Sequence, residues 1–569
     1  MDKKSIIRLL EHIAIYLEIK GENSFKVSAY RKAAKSLEAD RRSLSEIEDF
    51  TIIEGIGKGT AEVIKEFIET GKSTLLKSLQ DELPTGLIPL LQLPGLGGKK
   101  IAALYHELGI TDVNSLKDAC EEGLVQKLKG FGPKTEDKIL KSIEEFGLKP
   151  SRFSIPYMLK YIELFDEVLS TMDNVIQFSR AGSLRRVQET MKDLDYVIAT
   201  VEPKLVKEQL FRLFEVSEAI ADGDTKVTLC VADTVNIDIR LVHPIEFATT
   251  LHHFTGSKEH NVRMRQLAKK RGEKISEYGV ENLKTGEVLT FANETEFFHH
   301  FGLPYIPPEI REDGNEVDDF TSDIQLISLN DIIGDLHMHT TWSDGANSLE
   351  EMVNACRQKG YKYMAITDHS KYLKVANGLT VERIREQNAE IRKLNEKYDD
   401  ILILSGIEMD ILPDGTLDFE DEVLAELDIV IASIHSNFNQ PKSKIMERLK
   451  TALNNPHVDI IAHPTGRLIE RRQGYSVDID LLIELAKETN TVLELNANPN
   501  RLDLAAENVR KAQANGVKIV INTDAHNIKN LDYMEYGVGT ARKGWIEKDT
   551  VINAMEPEEL LKFLGNKHR

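Results

Sequence analysis

Asp193 and Asp195 stand one residue apart and follow Gly182-Ser183 closely, and a third carboxylate, Asp238, sits inside the apolar run Val235–Leu241. Alternation along Asp193-Leu194-Asp195-Tyr-Val-Ile198 predicts a strand with both acids on one face and Leu194 turned to the core. Asp238, flanked by Ile237 and Ile239, reads as part of a second strand of the same kind. Carboxylates gathered on one sheet face repel each other unless cations lie between them, and two-metal phosphoryl transfer sets such cations about 3.5–4 Å apart. Mg²⁺ or Mn²⁺ suits an all-oxygen ligand set of this kind. Gly182-Ser183 reads as the end of a helical stretch opening into a turn, where Gly lets backbone approach a phosphate and Ser adds a hydroxyl donor. Arg185 and Arg186 then offer fork-shaped donors for a polyphosphate. An isolated Asp-x-Asp is commonly surface decoration, but the Gly-Ser, the paired arginines and the third aspartate together point to chemistry.

The C-terminal third carries a second set of reactive residues. His337-Met-His339, Asp344, Thr367-Asp-His369, Glu408, His435, His463-Pro464 and Asp524-Ala-His526 accompany short apolar runs such as Tyr363–Ile366, Ile429–Ile434, Val458–Ala462 and Val517–Ile521. That is the pattern of parallel strands whose C-terminal ends present side chains to one mouth. His-x-His places two imidazoles on one strand face, a common way to begin a metal site. Any one of these histidines alone would read as a hydrogen-bonded core residue; imidazoles and carboxylates recurring at strand ends do not. Mixed nitrogen and oxygen ligands suit Zn²⁺ or Mn²⁺ better than Mg²⁺, and such a cluster hydrolyses phosphoesters.

Stepping toward the N-terminus, Glu54-Gly-Ile-Gly-Lys-Gly59, Pro94-Gly-Leu-Gly-Gly-Lys99 and Gly130-Phe-Gly-Pro-Lys134 each interrupt an apolar helical pattern and reopen into a helix. A Gly-h-Gly turn exposes backbone amides at a helix N-terminus, a sequence-independent phosphate site, with Gly55, Gly57, Gly95, Gly97, Gly130 and Gly132 as the residues concerned. One such turn is commonly just tight; recurrence with a following lysine favours nucleic acid.

The segment Ala181–Asp195 resembles the palm signature of the family X DNA polymerases, within the nucleotidyltransferase superfamily, and His253-Phe-Thr-Gly-Ser-Lys-Glu-His-Asn-Val-Arg-Met-Arg265 resembles that family's nucleotide-binding continuation. The resemblance implies that Asp193 and Asp195 bind both palm metals, with Asp238 beside the primer 3′-hydroxyl. It gives Gly182, Ser183 and Arg186 to the triphosphate of a dNTP, Phe254 and Gly256 to the sugar, and Asn261 and Arg265 to the minor-groove side. Lys192 and His253 depart from the residues most frequent there, a small side chain and a tyrosine. The three glycine turns resemble helix-hairpin-helix units; Val63 occupies the position where lyase members of the family carry a nucleophilic lysine, so a Schiff-base lyase route is not expected. The C-terminal residues resemble the motifs of the polymerase and histidinol phosphatase (PHP) domain, a distorted (β/α)7 barrel, with every position of its nine-ligand set filled. By that likeness one metal takes His337, His339, Glu408 and Asp524, a second Glu408, His435 and His463, and a third Asp344, His369 and His526. Arg467 and Arg501 are weaker expectations as phosphate partners. Order and extent resemble the bacterial PolX type of family X enzyme, which implies gap filling in base excision or break repair, with 3′-5′ exonuclease, 3′-end processing or abasic-site incision by the PHP part.

The expected organisation is a multidomain α/β chain: a helical DNA-binding domain at 1–85, a second helical, fingers-like one at 86–150, the palm at 151–240, a terminal nucleotide-binding subdomain at 241–315, an acidic solvated linker at 316–333 whose charge begins at Glu309, and the barrel at 334–569. The net charge of −21 is unusual for a DNA binder, but residues 1–150 carry 23 Lys plus Arg against 24 Asp plus Glu, while 321–569 carry 29 against 40. Lys258, Arg263, Arg265, Lys269, Lys270, Arg271 and Lys274 form a local basic run. Modest, steeply salt-dependent affinity for gapped or nicked duplex follows. Cys120, Cys230 and Cys356 form no Cys-x-x-Cys pair, and neither an apolar signal core nor an 18-residue apolar run occurs, so a cytoplasmic, monomeric protein is expected. Two rival readings stand beside this one: a phosphomonoesterase of the histidinol phosphatase kind, active only in the barrel, and a non-catalytic gap sensor whose palm is a scaffold.

Overall fold

The computed structural model describes residues 3–39, 47, 49–87, 89–93, 96–146, 152–214, 221–222, 225–231 and 235–565. The chain forms two compact units, one made of residues 1–151, 339–352 and 368–389, the other of the remainder.

In the first unit, helices Lys3–Lys20, Ser24–Ala39, Lys58–Thr70, Thr74–Glu82, Gly98–Leu108, Val113–Glu121 and Pro133–Phe146 bury one continuous set of apolar side chains running from Ile6 to Ile143. Their ends follow local chemistry: Ser73 and Asp112 cap the helices that follow them, and Gly71 and Gly109 close two others in the left-handed conformation. Residues 339–352 and 368–389 are organised around buried Asp368, whose carboxylate accepts from Thr340 N at 2.8 Å, Thr340 Oγ1 at 2.8 Å and Gln387 Nε2 at 2.6 Å.

The second unit begins with a five-stranded sheet in the order Gln177–Arg180, Leu194–Ala199, Val235–Val242, Lys226–Val231, Ala221–Asp222. Leu194–Ala199 and Val235–Val242 run parallel; the other neighbours are antiparallel. Leu194, Tyr196 and Ile198 pair with Ile237, Ile239 and Leu241 and bury that face with helices Ile155–Thr171 and Pro203–Leu213. The second strand of the parallel pair runs to Val242, past the expected limit at 240, because the apolar alternation continues through Leu241. Helices Phe247–Thr255 and Lys258–Lys270, a small antiparallel sheet and helix Glu294–His300 follow around Phe297, Phe298 and Met264.

The acidic segment from Glu309 differs from the expected solvated linker. Glu316 is buried with its Oε1 2.6 Å from His260 Nδ1, Glu309 accepts from Arg542 Nε at 2.8 Å, and Val317 and Phe320 join the core beside Met264. Partners far away in sequence engage these acids, an imidazole hydrogen bond at Glu316 and a guanidinium at Glu309, which composition alone does not reveal.

Seven parallel strands, Gly334–Asp335, Tyr363–Ile366, Leu402–Asp410, Ile429–Ser433, Ile460–Ile461, Val492–Asn496 and Ile519–Asn522, pair in chain order. A parallel bridge between Met338 and Ala525 joins the first to the last and makes the sheet a nearly closed barrel. Both faces of these strands are covered, so they read as continuous Ile, Val and Leu rather than as alternating. Helices such as Val381–Lys397 and Lys442–Asn454 alternate with these strands.

Candidate active sites

The parallel register of the palm strands sets Asp195 directly opposite Asp238, and Asp193 immediately precedes the first of them. Burial, together with Asp238 and Asp193 beside it, pushes the Asp195 carboxyl up to about 7. A carboxylate in this position calls for a cation, and an all-oxygen donor set suits Mg²⁺ or Mn²⁺. Thr228, on the neighbouring antiparallel strand, donates its hydroxyl to Asp238 Oδ1 at 2.6 Å and fixes that side chain. Nothing local in the sequence marks Thr228; its role emerges only from the strand pairing. Lys192 Nζ lies 3.7 Å from Asp193 Oδ2 and is largely exposed.

Gly182 does not end a helix. It follows strand Gln177–Arg180 and begins the short helix Gly182–Arg185, with φ +54°, and a Cβ there would lie 1.9 Å from Asp195 Oδ2. Only glycine fits between that turn and the acid. Ser183 is half-buried in the same helix. Arg186 donates to the Thr255 carbonyl, and its Nε is 3.8 Å from Glu312 Oε1, so it is brought beside Gly256, where a Cβ would meet Arg186 Nη1 at 3.1 Å. Arg185, expected as a second phosphate donor, is committed elsewhere: it bonds Thr255 Oγ1 at 2.7 Å and Glu294 Oε2 at 2.5 Å. Glu294 also receives Arg311 Nη1 at 2.7 Å. Burial alone would raise the Glu294 carboxyl, but the Arg311 and Arg185 guanidiniums outweigh it and bring it down to about 2.

Phe254 stacks beneath the Arg240 guanidinium, 4.2 Å from its ring centre, and both line a cavity of about 330 Å³ with Thr250, Glu277 and Tyr278. Asn261 donates to the His253 carbonyl at 2.8 Å; Arg265 is exposed on the same helix. Part of the basic run is engaged, since Arg263 forks onto Asp318 and Arg271 reaches Glu273, whereas Lys258, Lys269 and Lys270 stay exposed.

His337, Glu408, His435, His463, Asp524 and His526 lie at or near the C-terminal ends of barrel strands. In the unit that carries the strands, buried Glu408 lies between three imidazoles: His463 Nε2 at 3.0 Å, His435 Nε2 at 3.2 Å and His337 Nε2 at 3.4 Å. Asp524 is 3.6 Å from His337 Nε2 and 3.6 Å from His526 Nδ1, and Arg501 Nε stands 3.5 Å from it. His463 and Asp524 hold positive φ angles of 28° and 53°, strained for side-chain-bearing residues and characteristic of functional sites. In the other unit, His339 and His369 stack at 4.3 Å between ring centres, and Asp344 Oδ1 is 3.9 Å from the first and 3.6 Å from the second. His337 and His339 are separated in the chain only by Met338. Buried imidazoles around carboxylates are a donor set for divalent cations of the Zn²⁺ or Mn²⁺ kind. Arg467 is not poised for phosphate: its guanidinium bonds Glu189 Oε1 at 2.6 Å and the Arg501 and Leu502 carbonyls.

Gly57, Gly97 and Gly132 precede helices Lys58–Thr70, Gly98–Leu108 and Pro133–Phe146. Gly57 and Gly97 are N-caps without a side-chain cap bond, and open space surrounds all three where a Cβ would stand. Gly55 and Gly130 hold φ angles of 99° and 91°, which turn the chain into these ends. Gly95 lies outside the described residues. Val63 is buried in its helix.

The chain resembles known families along most of its length. Residues 1–73 match the helix-hairpin-helix domain family, 87–145 the SAM-like helix-hairpin-helix tandem, 250–312 the DNA polymerase beta thumb and 335–498 the PHP domain. A probable phosphatase of Thermoanaerobacter sp. is 30% identical over 249 residues, 42% of this chain and 96% of that one. One of Clostridium acetobutylicum is 30% identical over 246 residues, 41% and 95% of the two chains. The DNA polymerase/3'-5' exonuclease PolX of Bacillus subtilis is 62% identical over 566 residues, covering 99% of each chain. With that likeness running across palm, thumb, hairpins and barrel alike, the chain belongs to the bacterial PolX family of family X DNA polymerases.

Proposed function

We propose that this chain extends a primer 3′-hydroxyl with dNTPs in short gaps of duplex DNA, through the palm, and removes 3′ nucleotides through the barrel. The observation that carries the reading is the register that sets Asp195 opposite Asp238 beside Asp193, in a chain that also sets Glu408 among His337, His435 and His463. Base excision repair or break repair is the setting such a pair of activities serves, with the protein acting as a monomer in the cytoplasm.

Asp193 and Asp195 would hold the palm cations, whose charge would neutralise the triphosphate in the in-line displacement. Asp238, anchored by Thr228, stands beside the primer 3′-hydroxyl and accepts its proton. Gly182, Ser183 and Arg186 orient the triphosphate, Phe254 and Gly256 receive the sugar, and Asn261 and Arg265 reach the minor groove. For Arg186 this requires exchange of the Thr255 carbonyl and Glu312 for phosphate oxygens. Gly55, Gly57, Gly95, Gly97, Gly130 and Gly132 leave backbone amides for DNA phosphates. In the barrel, His337, His339, Asp344, His369, Glu408, His435, His463, Asp524 and His526 would hold three cations of the Zn²⁺ or Mn²⁺ kind, which would supply a nucleophilic water and a clamp for the phosphate. Glu408, which faces His337, His435 and His463, would be shared between cations in this assignment, and Arg501 is the remaining arginine for the scissile phosphate. Lyase chemistry by a Schiff base is not part of the reading, because Val63 offers no amine.

A labelled primer in a one-nucleotide gap with a 5′ phosphate, incubated with Mn²⁺ with and without dNTPs, tests this on a denaturing gel. Extension by one unit with dNTPs and shortening without them is expected. Shortening in both lanes without extension would make the palm a scaffold; turnover of histidinol phosphate comparable to that of DNA ends would favour a small-molecule phosphatase.

A further inference from the structure

Glu494 belongs to no ligand set considered above, yet it is fully buried in strand Val492–Asn496 at the mouth of the barrel. Its carboxylate is surrounded by donors. Oε1 receives His337 Nδ1 at 2.7 Å and Asn522 Nδ2 at 3.0 Å; Oε2 receives the backbone N–H of His463 at 2.7 Å and Asn496 Nδ2 at 3.1 Å. A carboxylate accepts and does not donate, so His337 Nδ1 carries a proton toward Glu494, and Nε2 is the ring nitrogen turned to Glu408 Oε2 and Asp524 Oδ1, 3.4 and 3.6 Å away. The bond to His463 holds a residue whose φ of 28° is costly without support. Asp410 repeats the arrangement in weaker form, with Oδ1 3.2 Å from His435 Nδ1 while His435 Nε2 faces Glu408.

We propose that Glu494, with Asp410 as its lesser counterpart, is a positioning residue of the barrel's phosphoester chemistry: it fixes the tautomer and direction of His337 and the backbone of His463, so that two divalent-cation ligands are held ready around Glu408. The proposal rests on the reading of these histidines as ligands. Side chains that orient ligands in this way typically contribute about 10–100-fold to metal affinity. Glu494→Gln keeps the shape but must turn an amide N–H toward either His337 or the His463 N–H, which removes one of the two restraints.

The test uses the full chain. Mn²⁺ is titrated calorimetrically into the native protein, Glu494→Gln, Asp410→Asn and Glu408→Gln, all in an Asp195→Asn background that weakens cation binding at the palm. Gap extension is measured in the same substitutions without that background. Glu494→Gln is expected to raise the Mn²⁺ dissociation constant about 10–100-fold, to raise the Mn²⁺ concentration for half-maximal 3′ trimming in parallel, with most of the rate recovered at saturation, and to leave extension unchanged. Native Mn²⁺ affinity in Glu494→Gln, alongside lost binding in Glu408→Gln, would overturn the proposal and keep the ligand reading. Native affinity in Glu408→Gln as well would overturn the ligand reading itself. Should Glu494→Gln also lose extension, and so its fold, Asp410→Asn decides: weakened Mn²⁺ binding with intact extension supports the proposal, and native binding rejects it.

Discussion

The palm and the barrel both assemble carboxylates for phosphate chemistry, but they differ in how much of the protein stands behind each ligand. The palm acids lie on one face of an open sheet, Asp193 with 22% of its side chain exposed, and Asp238 leans on one hydroxyl, that of Thr228. In the barrel, Glu408 and His337 are 1% and 0% exposed, and a buried carboxylate with four donors stands behind His337 and His463. An open oxygen site can wait for the charge of its substrate to complete it, whereas an enclosed nitrogen–oxygen site must be built before substrate arrives.

Removing a palm ligand is the harshest way to break that contrast. Asp195→Asn should lower single-nucleotide insertion by about 10⁴-fold or more, the scale of losing a group that acts on the reacting atoms, measured by pre-steady-state incorporation. Next comes the brace between palm and thumb. Glu294→Gln leaves buried Arg311 and half-buried Arg185 without their shared partner and should cost about 3–5 kcal/mol by denaturant unfolding. Because the folded carboxyl lies near 2, below its ordinary 4.5, that contribution is complete above about pH 4.5 and fades as pH falls toward 2. Stability curves of native protein and variant should therefore converge in acid and separate at neutrality. Thr228→Val sharpens the comparison, since the only side-chain support described for Asp238 is lost: extension should fall about tenfold, from about 1.5 kcal/mol of a hydrogen bond to a charged group, with 3′ trimming unchanged. The smallest effect belongs to Glu189→Ala, which releases Arg467 from a partly exposed pair worth about 0–1 kcal/mol; either rate should move less than about fivefold, by gel.

The residue patterns behind both proposed sites were legible in the sequence because they obey short-range rules, while their assignment as ligands came from the family resemblance. Alternation put Asp193 and Asp195 on one face, and histidines at the ends of apolar runs announced strand termini. What supports them was not legible. Thr228, Asp410 and Glu494 are single polar residues in apolar strands, and the partners of Glu494 lie 31 residues away at His463 and 157 away at His337. The same distance effect misassigned Arg185 and the acids from Glu309. An arginine after Gly-Ser looks available for phosphate until Glu294, 109 residues on, is folded against it, and an acidic run looks solvated until His260 hydrogen-bonds Glu316 and Arg542 pairs with Glu309. The start of the helix at Gly182 was missed because a four-residue helix leaves no periodicity to detect.

The most direct measurement of the account is a reciprocal gel. Asp195→Asn and Glu408→Gln are each incubated with the gapped, labelled primer, Mn²⁺ and dNTPs, singly and mixed. Two separate centres on one chain predict that Asp195→Asn only shortens the primer, that Glu408→Gln only extends it, and that the mixture does both. Loss of extension in Glu408→Gln, or of shortening in Asp195→Asn, would contradict it.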